Sequence, residues 1–162
     1  MEKKFKIKLP DQEIKPEVIE KRNKAMFTED LEKDGILAKS LVFVYLNQPA
    51  STTEITKKMS SYYGIDFDRV KIFRALQKLN EKFILANATS GECLSLSDSE
   101  RKEIHHEIIR KFYSFLRDIP EQFRRRFQNV NYFWVSNGEG FKYIEWCCKI
   151  LGFECEVKKD AK

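Results

Sequence analysis

The sequence predicts an α+β, mainly helical fold, and three observations predict it. Ser51-Thr52-Thr53-Glu54 forms a capping box, a cleanly two-faced helical pattern follows at about residues 67–82, and two short strand-like runs lead into a second box at Ser97-Asp98-Ser99-Glu100. In such a box the hydroxyl takes an orphan amide of the first turn while the glutamate reaches back to the cap. At 162 residues the chain can build one good core, or a smaller core with an appended module. Three segments are expected: an N-terminal strand and helix arm over 1–30, a central unit over 31–118, and a small C-terminal α/β module over 119–162.

In the arm, Lys4-Phe5-Lys6-Ile7-Lys8-Leu9 alternates charge and hydrophobe at period two before Pro10, which reads as a half-buried or edge strand, or equally as a basic arm. Pro16 suits the first turn of a helix running to about Phe27, with Val18, Ile19 and Met26 on one face. Residues 29–47 should form the next helix. Its second half, Ile36-Leu37-Ala38 and Leu41-Val42-Phe43-Val44-Tyr45-Leu46, is apolar nearly all round and belongs in the core.

The helix begun at Ser51 should carry Ile55, Met59 and Tyr62 or Tyr63 inward, expose Lys57 and Lys58, and end at Gly64, which tolerates a left-handed C-terminal turn. Asp66 is expected to open the next helix. At about 100° per residue, that helix gathers Ile72, Phe73, Leu76, Leu79 and Phe83 on one side. Lys71, Arg74, Lys78 and Lys82 fall on the other side. Residues 83–88 and 93–96, joined through Thr89-Ser90-Gly91-Glu92, then read as a hairpin. A long helix over 97–118 follows, with Ile104, Ile108, Ile109, Phe112, Phe115 and Leu116 on its apolar side.

Two capped helices, a two-stranded ribbon and a third capped helix follow one another at the spacing of a winged helix-turn-helix. Over about residues 35–116 the chain resembles winged-helix transcription regulators of the MarR and PadR type. The segment Leu94-Ser95-Leu96-Ser97-Asp98-Ser99-Glu100 is similar to the passage from their wing into a long dimerisation helix. The resemblance implies a homodimer on double-stranded DNA, with Thr53, Lys57, Lys58, Lys71, Arg74 and Lys78 facing the duplex and Phe67, Lys71, Arg74 and Ala75 near base edges. Cations on the second helix are the electrostatic footprint of a recognition helix, although a solvated basic face has the same composition.

The expected wing, residues 84–96, contains no Lys or Arg, and Asp66 and Asp68 sit where phosphates would approach. Capping is the reading for the aspartates, with a hydrogen bond accepted from cytosine as the alternative. Both features would also suit a winged helix that serves as a protein-interaction subunit of a nucleic-acid-processing assembly.

Downstream, Ile119-Pro120 interrupts the long helix, and Arg124, Arg125 and Arg126 lie between Phe123 and Phe127. The arginines could grip a nucleic-acid backbone, single-stranded or RNA included, or simply face water while the phenylalanines pack inward. Tyr132-Phe133-Trp134-Val135 should be an apolar strand, residues 136–140 a loop, 141–151 a helix and 153–157 a further strand. Such a strand-helix-strand unit favours parallel pairing. The module could sense a ligand, mediate assembly with a protein partner or simply complete the core. Its loop has two glycines but neither the GxGxxG spacing nor a Walker lysine, so a turn is the reading.

Thirty basic against 25 acidic residues give a formal charge of +5, which suits a polyanionic partner without requiring one. No run of about 18 apolar residues and no signal-peptide core is found, so a cytoplasmic protein is expected. Cys93, Cys147, Cys148 and Cys155 lack CxxC pairing, and His105-His106 have no matched ligand pair, so no metal or other cofactor is expected. Cys147 and Cys148 read as buried thiols, with a bond from either to Cys155 as the alternative. No serine elbow, HExxH or paired-carboxylate motif is present, and no enzyme activity is expected.

Overall fold

The computed structural model describes residues 15–89, 91–92, 96–102, 104, 106–118, 120, 130–137 and 140–153. The expectations for residues 1–14 and for the arginine run 124–126 lie outside the described residues. The chain falls into two compact units that meet at Gly35 and Ile36.

The first unit contains α1, Pro16–Leu31, with Pro16 in its first turn as its fixed φ and missing N–H dictate. A Lys24–Glu20 ion pair at 3.2 Å lies along it. The single helix expected over 29–47 is in fact two. The chain turns at residues 32–35, where the amide of Gly35, at φ +68°, donates to the Asp30 carbonyl.

The second unit is α+β and mostly helical. It runs through α2 (Ile36–Asn47), β1 (Ala50–Ser51), α3 (Thr52–Tyr63), α4 (Arg69–Glu81) and β2 (Leu85–Thr89). It continues through α5 (Asp98–Lys102), α6 (His106–Arg117), β3 (Asn131–Val135) and α7 (Phe141–Leu151). The α3 cap is as read, with the Glu54 amide donating to Ser51 Oγ at 3.2 Å, and Gly64 ends the helix at φ +70°. The α4 cap is Asp68 and not Asp66: its carboxylate accepts from the Val70 amide at 3.0 Å. Ser60 Oγ takes the Phe67 amide and leaves Phe67 outside the helix.

Strand β3 is the centre of a three-stranded sheet in the order β1-β3-β2, antiparallel throughout. Strand β2 pairs with β3, Leu85 opposite Val135 and Thr89 opposite Asn131; of its expected hairpin partner 93–96, residues 93–95 lie outside the described residues. At the end of β2, Thr89 and Glu92 exchange a reciprocal pair of bonds, amide to Glu92 Oε1 at 2.8 Å and amide to Thr89 Oγ1 at 3.1 Å. Gly91 and Glu92 are in helical geometry. Phe83 lies outside the apolar face assigned to it. It adopts φ +63° between α4 and β2 and is 67% exposed.

Helices pack on both faces of β3, α2 on one and α6 on the other, which is why Tyr132-Phe133-Trp134-Val135 is an unbroken apolar run. Alternation along the strand turns Phe133 and Val135 to the core of α2, α4 and α7. Tyr132 and Trp134 face the other way and pack with Ile108 and Phe112 of α6 beside Ala86 and Ala88. The helix expected over 97–118 is α5 and α6 around Ile104, opened by the Ser97–Glu100 box with bonds of 2.8 and 3.3 Å. Ile108 and Phe112 are buried, Ile104 and Ile109 half-buried, and the side chains of Phe115 and Leu116 lie outside the described set.

The segment read as a C-terminal module therefore supplies the middle of the same sheet. Helix α7 packs on α2, with Tyr45 edge-on to Phe141 at 6.0 Å. The glycine loop before α7 is a structural turn. Ser136 Oγ donates to the Phe83 carbonyl at 2.7 Å and accepts from the Gly140 amide at 2.8 Å. A Cβ at Gly140 would collide with the Ile84 carbonyl oxygen and approach Val135 Cγ1 to 2.6 Å, so glycine is required by space. The strand expected at 153–157 lies outside the described residues beyond Phe153.

Burial of Cys147 pushes its thiol up to about 12. Its neighbour Cys148 is disulfide-bonded, to a partner outside the described residues. No helix among the described residues is long and apolar enough to cross a membrane.

Candidate nucleic-acid interface

Two basic surfaces emerge. The first is the outer face of α4. Ile72, Ala75, Leu76 and Leu79 are buried at helical spacing, which forces Lys71, Arg74 and Lys78 into solvent. None of the three takes part in an ion pair among the described residues. At each fully buried leucine or isoleucine the apolar side is held in by about 1.5–3 kcal/mol, so the orientation of the cationic side is fixed by the core.

The second surface is a groove of about 660 Å³ beside the first turns of α3. Ser51, Thr53, Glu54, Lys57, Lys58 and Ser61 line it from α3 and its cap, and Lys111 of α6 from another element. Pro49, Val130 and Tyr132 supply its apolar part. Lys111 Nζ is anchored by donating to the Asn47 carbonyl, one of the last in α2, at 3.1 Å. Among the described residues three ammonium groups thus share the groove with one carboxylate. Burial raises the pKa of Glu54, and the charges of Lys111 and Lys58 oppose that rise.

The structure brings Thr53, Lys57 and Lys58 together in this groove and keeps Lys71, Arg74 and Lys78 on α4. Phe67 belongs to neither. It packs 5.9 Å from Tyr63, with Lys39 Nζ above both rings at 5.7 and 4.7 Å. This aromatic cluster extends through Phe43, Tyr62 and Phe153, and Tyr62 remains 61% exposed. Ile65 and Val70, 56% and 51% exposed, flank the same turn between α3 and α4.

Lys111 was not singled out from the sequence. It stands on the polar side of an amphipathic helix, 64 positions from the carbonyl it binds, and no local pattern marks it. Among the described residues no group of three or more His, Cys, Asp or Glu side chains could hold a metal ion. No protein-family model matches the sequence, and no curated protein or solved structure matches the chain.

Proposed function

We propose that this chain binds double-stranded DNA through a winged helix-turn-helix, as a dimeric transcription regulator. The order α2-β1-α3-α4-β2-β3 with strands arranged β1-β3-β2 supports the architecture, in which the second helix of the α3–α4 pair reads the major groove. The observation that carries the reading is the solvent-facing row Lys71, Arg74 and Lys78 on that helix, without an ion pair among the described residues. Phosphate neutralisation by such a row supplies affinity, and side chains at the groove floor supply discrimination.

The wing of this proposal is unusual. The connection between its two strands spans residues 90–130 and includes α5 and α6, with α6 lying on the outer face of the sheet. Ile108 and Phe112 are occupied there, so subunit pairing would use surfaces other than this apolar face.

A second reading, a protein-interaction subunit, is favoured by the exposed Tyr62, Ile65 and Val70 beside the start of α4. Fluorescence anisotropy at low salt with random duplex, single-stranded DNA and RNA as competitors separates the two, with sedimentation equilibrium reporting the dimer. Duplex binding preferred over both single strands is the expected result. Absence of an anisotropy rise on duplex at micromolar protein would favour the interaction subunit.

A further inference from the structure

We infer that the groove between α3 and α6 seats the sugar–phosphate backbone of the bound duplex, and that Lys111 is a phosphate contact made from the long connection in place of a basic wing. The inference rests on the duplex-binding reading and adds to it a second, separate contact region.

Several features converge. Lys57 and Lys58 project from α3 and Lys111 from α6, so cationic groups line the groove from two elements far apart in sequence. Among the described residues Glu54 is the one carboxylate lining the groove, against three lysines. Thr53 and Ser61 add hydroxyl donors of the kind that bind phosphate oxygens. Pro49, Val130 and Tyr132 form an apolar part, matched by the deoxyribose carbons of a nucleic-acid strand and by nothing in a bare inorganic anion. The residues that make a conventional wing basic are missing from 84–96, and Lys111 restores one such charge from α6.

The anchoring bond to the Asn47 carbonyl uses one of the three ammonium protons of Lys111 and fixes where the charge sits. The neighbouring depression on α6 is lined, among the described residues, by Glu107, Arg110, Lys111, Ser114 and Asp118, two cations and two carboxylates.

The test is the salt dependence of duplex binding for the wild-type chain, Lys111→Ala, Lys111→Arg, Lys57→Ala and the double variant Lys57→Ala with Lys111→Ala. Loss of one phosphate contact should weaken binding about fivefold near 0.15 M salt and reduce the log–log slope by about one unit. Lys111→Arg should restore both, and the double variant should lose about two units of slope. The loss should be the same for every duplex sequence, because phosphates carry no sequence information.

Weaker binding with an unchanged slope and no rescue by arginine would make Lys111 a structural strut and overturn the inference. An unchanged affinity and slope in Lys111→Ala, while substitutions on α4 do reduce binding, would remove the groove and leave the duplex reading standing. Failure of the wild-type chain to bind duplex at all would remove both.

Discussion

Replacing Lys71, Arg74 and Lys78 together by alanine probes the α4 face directly. All three are exposed and free of ion pairs among the described residues, so the fold should lose little: surface changes of this kind stay within about 0.5 kcal/mol each. The effect on binding is much larger. With roughly 0.9 units of log–log slope per phosphate contact, three lost contacts remove about 2.7 units. Across a salt series from about 50 to about 200 mM, a 2.7-unit slope is worth about a 40-fold change in affinity, which the variant should no longer show. The assay is fluorescence anisotropy of a labelled duplex at five or more salt concentrations, with circular dichroism confirming an intact melting transition. A folded triple variant with wild-type affinity and slope would refute the argument that α4 presents its cations to a duplex.

Four further outcomes follow from packing and protonation. Phe112→Ala, removing a ring 3% exposed and edge-on to Tyr132 at 5.2 Å, should cost about 3–4 kcal/mol in urea unfolding and red-shift the emission of the uncovered Trp134. Gly140→Ala should cost about 2 kcal/mol, since its methyl must displace the Ile84 carbonyl or the Val135 side chain, and chemical denaturation measures it. Glu54 has a folded pKa raised above its unfolded value, so the native state holds the proton more tightly and stability rises as pH falls through that raised value. Glu54→Gln should abolish this acid-side gain in thermal melts taken across the carboxylate range. Cys147, fully buried and with its thiol pushed up to about 12, should resist alkylation in the native protein at pH 8 and react on unfolding, as peptide mass mapping would report.

What could be read from the sequence was what is decided locally. Both serine caps, the glycine that ends α3 and the division of α4 into apolar and cationic sides each depend on residues within about one or two helical turns. Residues 85–89 do form a strand, and the partner that the described residues show for it lies at 131–135, about 40 residues on, where no local pattern marks it as the partner. The apolar run 132–135 was recognised as a strand, yet only the sheet order explains why it is apolar on both faces. Asp66 is the cap that the sequence suggests, but Ser60 takes the Phe67 amide and the helix opens two residues later at Asp68. Half of the candidate interface was legible for the same reason as α4. Lys111 was not, because its place is set by a contact with Asn47 across the molecule.

The position of β3 also governs the order in which this molecule can assemble. Strands β1 and β2 do not touch as neighbours; each is completed only by a segment made some 40 to 80 residues later. A nascent chain that has emerged only as far as α6 holds two open strand edges and an uncovered aliphatic layer, and it has no means of closing them by itself. Shortening the gene product before residue 131 in search of a minimal DNA-binding fragment would therefore remove the keystone, leaving a sticky intermediate where a smaller working domain was intended.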